Sequence, residues 1–140
     1  MGFKISIDIV SAEKTIYSGS AEVVTVSGEM GDMGIQVGHA PLLTFLRPGL
    51  IRLNHGEEKS EEVFYISGGI LEVQPQQVTV LADEAERAKD LDEAEARKAE
   101  ERARQVLADK SAQYEYAKGL AELAKAMAQL QAIRRFRDRK

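Results

Sequence analysis

Residues 71–109 read LEVQPQQVTVLADEAERAKDLDEAEARKAEERARQVLAD, and the spacing of their apolar side chains changes part way along. Leu71 and Val73, then Val78 and Val80, alternate with polar residues at period two, as in a strand with one buried face. Ala96, Ala99, Ala103 and Val106 recur at spacings of three and four, as along one face of a helix. The change falls between Asp83 and Asp90, and composition divides at the same place. Ten of the eleven glycines lie at or before Gly69, whereas alanine becomes frequent only after Leu81. The sequence therefore predicts two units, residues 1–84 and residues 85–140.

Towards the N-terminus the period-two pattern continues through Phe3, Ile5, Ile7 and Ile9, then Val24 and Val26, Ile51 and Leu53, and Phe64 and Ile66. Turn signals at Ser18-Gly19, Pro48-Gly49, Asn54-His55-Gly56, Gly68-Gly69 and Pro75 separate these runs. Their spacing predicts antiparallel strands packed as a sandwich or barrel and leaves no room for parallel βαβ units. Towards the C-terminus, Tyr116, Leu120, Leu123, Met127 and Leu130 predict a second amphipathic helix. Asp109-Lys110-Ser111 breaks the pattern, with Ser111 or a neighbour as the cap, so the two helices are expected to form an antiparallel hairpin. Tyr114 and Tyr116 are expected to pack in its seam. The first helix offers mostly alanine, and a buried methyl contributes only about 0.8 kcal/mol. The docked hairpin should therefore be separated from alternatives by a small margin, as a movable element would be.

At 140 residues and 44% apolar content the chain is long enough to bury a core. It has no run of 18 apolar residues, and its first residues lack a basic region leading into an apolar stretch. Neither membrane insertion nor a secretory signal is expected. The absence of cysteine excludes disulfides, thiolate zinc sites and redox motifs. The net charge of −4 hides an asymmetry: residues 1–84 carry 5 basic and 12 acidic side chains, residues 85–140 carry 14 and 11. An acidic front half argues against nucleic acid, while the basic tail over residues 134–140 suits an acidic partner.

Catalytic chemistry finds little support. His39 and His55 lie in no HExxH or related metal-ligand spacing, there is no GxSxG elbow or GxxxxGK[ST] loop, and Gly28, Gly31, Gly34 and Gly38 lack a dinucleotide fingerprint. Glu57, Glu58, Glu61 and Glu62 flank a turn and are expected to stay solvated. No catalytic residue, metal site or cofactor is predicted.

The stretch GEMGDMGIQVGHAPLLTFLRPG over residues 28–49, SGGILEVQPQQVTVLADEAERAKDLDEAEA from Ser67, and YAKGLAELAKAMAQL over residues 116–130 occur in that order. Together they closely resemble the epsilon subunit of bacterial F-type ATP synthases along almost the whole chain. The resemblance implies an α+β protein, an antiparallel β-sandwich of about ten strands followed by a C-terminal two-helix hairpin. It implies a non-catalytic subunit of the rotor stalk that binds the gamma subunit and the membrane ring of c subunits and couples proton translocation to ATP synthesis. The helical arm would extend along gamma towards the catalytic alpha and beta subunits and restrain ATP hydrolysis. The expected location is peripheral, on the cytoplasmic face of the bacterial inner membrane.

Carried over by position, the resemblance places ring contact at Asp32 and His39, against the simpler reading that both only complete the loop. Family members that bind ATP carry I/L-D-x-x-R-A at the start of the first helix. Here the motif reads Leu91-Asp92-Glu93-Ala94-Glu95-Ala96, with Glu95 in place of the arginine and Lys125 and Gln129 where supporting arginines would fall. A carboxylate beside a triphosphate repels it, and Arg97 at i+2 faces elsewhere. Leu91, Asp92 and Ala96 thus mark at most a weak nucleotide site, and ATP is a doubtful regulatory ligand. Arg134, Arg135, Arg137 and Arg139 are the expected contacts of the arm with an acidic segment of the head, with Phe136 as an apolar anchor. The helix dipole alone also favours cations there.

Overall fold

A computed structural model describes residues 3–56, 61–109 and 115–138. Glu57, Glu58, Ser111, Tyr114 and Arg139, singled out above, lie outside the described residues. Among the described residues nine strands run in order: β1 (Ile5–Ser11), β2 (Thr15–Ala21), β3 (Val23–Gly28), β4 (Gly31–Ile35), β5 (Leu42–Asn54), β6 (Glu61–Ile66), β7 (Gly69–Val73), β8 (Gln77–Ala82) and β9 (Ala85–Arg87). One turn of 3-10 helix (Ala88–Asp90) leads to the helices α1 (Glu93–Ala108) and α2 (Tyr116–Asp138). The sandwich followed by a hairpin, expected from the sequence, is what forms.

The strands make two layers that share β5. In one, β2, β1, β8 and β7 run side by side and β7 pairs with residues 42–46 of β5. In the other, β4, β3, the second half of β5, β6 and β9 are neighbours. The period-two residues close the space between them: Ile5, Ile7, Ile9, Val24, Val26, Ile51, Leu53, Phe64, Ile66, Leu71, Val73, Val78 and Val80 are all fully buried. Arg87 seals one edge of this core, its guanidinium 5.3 Å from the Phe64 ring centre and 5.6 Å from that of Tyr17.

Several local expectations are corrected. Phe3 lies outside β1 and is 84% exposed. Ser18-Gly19 is no turn but the middle of β2, where both residues pair with β1. Pro48-Gly49 lies within β5, at the point where the strand leaves β7 and joins β6. A residue without an N–H is tolerated where the ladder changes partner. Gly49 is required there, because any Cβ would collide with the Ser27 side chain. The strands are antiparallel except for β1 and β8, which pair in parallel from Ser6 opposite Gln77 to Ser11 opposite Ala82. The long path between them circles both layers, so no crossover helix is needed. Strand pairing also runs past Glu84, since Ala85–Arg87 pairs with the end of β6.

The hairpin lies against the outer face of β5 and β6. The expected seam of α2 is used only in part. Of its five residues Leu130 is buried and Leu123 half-buried, but Tyr116, Leu120 and Met127 are 54%, 45% and 48% exposed, and Gly119, Ala126, Ala128, Ala132 and Ile133 are buried in their place. Small side chains win because α2 is packed on two sides. Leu130 and Ile133 meet Ala96 of α1, while Ala128 and Ala132 meet Val63 and Tyr65 of the sheet. At Gly119 a Cβ would sit 3.1 Å from Val106 and 3.2 Å from Leu107, so the helices touch nearly backbone to side chain.

Candidate functional site

Three surfaces carry the chemistry that the fold leaves open. The first is the outer face of the first layer. In β5 the run Leu42–Leu43–Thr44–Phe45–Leu46 is apolar on both sides of the strand, so Leu46 enters the core while Leu43 and Phe45 point outwards, 71% and 65% exposed. The register places Phe45 opposite Ile70, Ile70 opposite Leu81, and Leu81 beside Val10. An apolar row therefore crosses four strands with Ile70 at 37% and Leu81 at 52% exposure. A contiguous patch of this kind marks a docking face. The sequence carried its signal in doublets such as Ile70-Leu71 and Val80-Leu81, where an apolar residue stands on the solvent side of a strand.

The second surface is the β3–β4 hairpin. Met30 at its tip is 99% exposed, and Gly31 has φ of +127°, a conformation suited to glycine. Asp32 stands on the outer side of β4 with Arg47 Nη2 3.2 Å from its Oδ1. This exposed pair contributes about 0 to 1 kcal/mol and leaves most of the carboxylate accessible. His39 follows in the loop after β4; its Nδ1 lies 2.7 Å from the Ala40 carbonyl and its backbone N–H donates to Gln36.

The third surface is the arm. Asp92 caps α1, its Oδ1 accepting from the Glu95 N–H at 3.2 Å; Leu91 is half-buried under α2 and Ala96 is buried in the helix seam. Glu95 faces Lys98 at 3.8 Å and Lys125 reaches Glu84 at 3.9 Å. The three positions proposed for a nucleotide are thus occupied by capping and packing. Arg135 grips Glu61 with two hydrogen bonds of 2.8 and 2.9 Å, and Arg52 approaches the same carboxylate at 3.8 Å. Glu62 takes His55 at 2.8 Å and Arg87 at 3.5 Å. The expectation that Glu61 and Glu62 stay solvated is therefore corrected: both are strand residues that collect cations. The bond to Glu61 raises the Arg135 guanidinium further above its ordinary value. Arg137 reaches across to Glu93, which Arg97 also approaches at 3.1 Å, and hydrogen bonds from Arg137 and Arg97 hold the Glu93 carboxyl below its usual range. Phe136, like Leu50, packs on the cluster that contains Val63 and Tyr65. Beneath α2, burial pushes the Tyr65 phenol up to about 12.

Sequence separates Asp32 from the tail by a hundred residues, yet the structure brings them to one cleft. A cavity of about 580 Å³ between β5 and the end of α2 is lined by Asp32, Arg47, Arg52, Arg134, Arg135 and Asp138 among others. His39, Leu91 and Ala96 do not line it. No described helix is long and apolar enough to cross a membrane.

A two-layer sandwich with an apolar outer row and a helical hairpin docked on its other layer defines the class, an α+β protein with a contiguous apolar face left uncovered. The ATP synthase delta/epsilon chain beta-sandwich domain matches residues 4–88 and the long alpha-helix domain of the same chain matches residues 89–134, so the chain belongs to this family. Among named relatives, the ATP synthase epsilon chain of Nitrosococcus oceani is 50% identical over 139 residues, covering 99% of both chains. That of Alkalilimnicola ehrlichii is 53% identical over 96% of both, and that of Janthinobacterium sp. 48% identical over the whole of both. The fold is similar to a chain in the Euglena gracilis mitochondrial ATP synthase OSCP/F1/c-ring structure, with a TM-score of 0.80 at 22% identity over 93% of this chain and 81% of that one. It is also similar to a chain of the Tetrahymena thermophila mitochondrial ATP synthase central stalk and c-ring, with a TM-score of 0.61 at 16% identity over 94% and 98%.

Proposed function

We propose that this chain is the epsilon subunit of the rotor stalk of an F-type ATP synthase, coupling proton translocation to ATP synthesis and restraining ATP hydrolysis through its arm. The observation that carries the regulatory half is the division of α2: it docks through alanines while Tyr116, Leu120 and Met127 face solvent. A helix that packs Leu130, Ile133 and Phe136 yet leaves three further large apolar residues uncovered has a second face for a second bound state.

The row of Phe45, Ile70 and Leu81, with Leu43 beside it, is the surface for gamma, because a protein partner gains most where apolar area is already contiguous. Residues 1–84 would then hold gamma on one face and meet the c-ring through the β3–β4 hairpin, with Asp32, His39 and the exposed Met30 as contacts. Because β9 still belongs to the sandwich, the arm starts after Arg87 rather than at residue 85 and comprises α1 and α2. In its extended state Arg134, Arg135 and Arg137, with Arg139, would meet acidic groups of the alpha and beta subunits; in the docked state Arg135 and Arg137 are held by Glu61 and Glu93. The subunit supplies no catalytic group itself. Its place is peripheral, on the cytoplasmic face of a bacterial inner membrane. Regulation by ATP at Leu91, Asp92 and Ala96 is not part of the proposal, because those residues cap and pack α1.

The test is ATP hydrolysis by a catalytic head assembled with gamma and either the full chain or a chain ending at Asp90, after equal binding of both has been verified. Faster hydrolysis with the shorter chain supports an inhibitory arm. Equal rates would leave the sandwich as a coupling piece alone.

A further inference from the structure

We propose that the cleft between β5 and the C-terminal end of α2 binds a phosphoryl anion, either free or carried on an anionic lipid headgroup, and that the site exists only while the arm is docked. Its regulatory consequence rests on the mobile-arm reading above; the binding itself does not.

The cleft, about 580 Å³, lies within the range of small-ligand sites. Two elements build it: β5 supplies Arg47 and Arg52, and α2 supplies Gln131, Arg134 and Arg135. Four guanidiniums face two lining carboxylates, Asp32 and Asp138, so a cation is disfavoured and an anion attracted. All four bases are arginine. The planar fork suits tetrahedral oxyanions, which accept two parallel bonds from one side chain.

The existing ion pairs prepare these donors without exhausting them. Arg135 is fixed by its two bonds to Glu61, Arg52 stands 3.8 Å from the same carboxylate, and Arg47 gives one bond to Asp32. A guanidinium has five N–H donors, so Arg47 and Arg52 keep most of theirs for a ligand. The side chains of Arg134 and Gln131 make no hydrogen bond or ion pair to the described residues. Both stand on the arm, facing the two arginines of the sheet across the cavity. A phosphoryl group between them would bridge arm and sandwich where direct contact between the two sets of cations is repulsive.

Because three of the five donor side chains leave with α2, the anion binds the docked state alone. Linkage then requires the ligand to stabilise that state: at about nine times its Kd it shifts the docked-to-free ratio about tenfold. The two sources differ in position. Asp32, at the edge of the cleft, belongs to the hairpin assigned to the membrane ring, so a lipid headgroup would reach the site from that side.

The experiment uses the full chain at about 0.15 M salt, where long-range charge effects are screened. Sodium pyrophosphate is titrated calorimetrically, and in parallel the chain is floated with vesicles of phosphatidylglycerol in phosphatidylcholine or of phosphatidylcholine alone. Saturable pyrophosphate binding identifies a free anion; selective capture by the phosphatidylglycerol vesicles identifies a headgroup. In either case R52Q/R134Q should weaken binding at least tenfold, and D138N, which removes an opposing carboxylate at the exposed helix end, should strengthen it several-fold. Hydrogen exchange of α2 should slow when the ligand binds. Circular dichroism checks the folding of each variant. The proposal is overturned if neither probe binds, or if binding is unchanged in both R52Q/R134Q and D138N.

Discussion

The two halves of this molecule solve burial with different side chains. Between the sheets, isoleucine, leucine, valine and phenylalanine are sealed at 1% exposure or less, save Leu46 at 5%. Between the arm and everything it touches, the fully covered residues are mainly alanines: Ala96, Ala103, Ala126, Ala128 and Ala132. An isoleucine carries three more carbons than an alanine, which at about 0.8 kcal/mol per buried carbon makes each sandwich position worth roughly 2 kcal/mol more. The arm compensates with ion pairs, Arg135 to Glu61 and Arg137 to Glu93, each of which keeps its arginine about half exposed to water and so contributes little individually. A close fit built from small residues and half-exposed arginines is easier to leave than a core. The lesson is that the same chain encodes one unit that must stay closed and another that can open.

The largest expected effect probes the closed unit. Phe64→Ala removes the largest fully buried side chain and should cost about 3 to 5 kcal/mol of global stability in urea denaturation. A cost comparable to that of a surface substitution would erase the contrast. Next in size is Phe45→Glu, which places a charge in the outer apolar row without touching the core. It should lower affinity for gamma by about 2 to 4 kcal/mol, the range of an interface hot spot, while leaving the denaturation midpoint near that of the parent. Unchanged affinity in a pull-down or titration would move the gamma surface elsewhere.

Much of this contrast is legible in the amino-acid sequence. The switch from period two to period three and four fixes the order of strands and helices, because buried faces impose those spacings. The alanines of α1 already announced a thin seam. Other features were hidden for physical reasons. Edge strands such as β2 need no strict alternation, so Ser18-Gly19 passed for a turn. A strand that changes layers at Pro48 looks like two strands with a turn between them. The apolar stripe of α2 suggested its own seam, but periodicity reports amphipathicity and not which partner covers it, and alanines on the other faces gave the closer approach. Of the candidate site, Asp32 and the arginines of the tail were visible as residues. Their convergence on one cleft with Arg47 and Arg52 was not, because it depends on how the hairpin folds back.

Smaller effects sharpen the open unit. Ala132→Leu adds bulk where α2 meets Val63 and Tyr65, and overpacking of this kind costs about 1 to 3 kcal/mol. Hydrogen exchange should quicken throughout α2 and leave β1 and β8 protected. Equal loss of protection in the strands would mean that arm and sandwich unfold as one. The smallest effect concerns pH. Hydrogen bonds from Arg137 and Arg97 lower the folded-state value of Glu93 below its ordinary 4.5. The stabilisation is therefore present above that ordinary value and is lost as pH falls from it through the lowered folded value. Mild acid should loosen the clasp between α1 and the end of α2 while the sandwich persists, and Glu93→Gln should remove this dependence when exchange in α2 is followed against pH.

The central claim, that the arm leaves the sandwich in the assembled machine, is met most directly by a distance measurement. The chain has no cysteine, so Met30→Cys and Leu120→Cys, both at exposed positions, can carry a unique pair of spin labels. In the isolated chain one narrow distance distribution is expected, that of the docked arm. With gamma and the catalytic head under conditions that favour hydrolysis, the account predicts a second, longer distribution. A single distribution identical to that of the free chain, with binding verified, would contradict it.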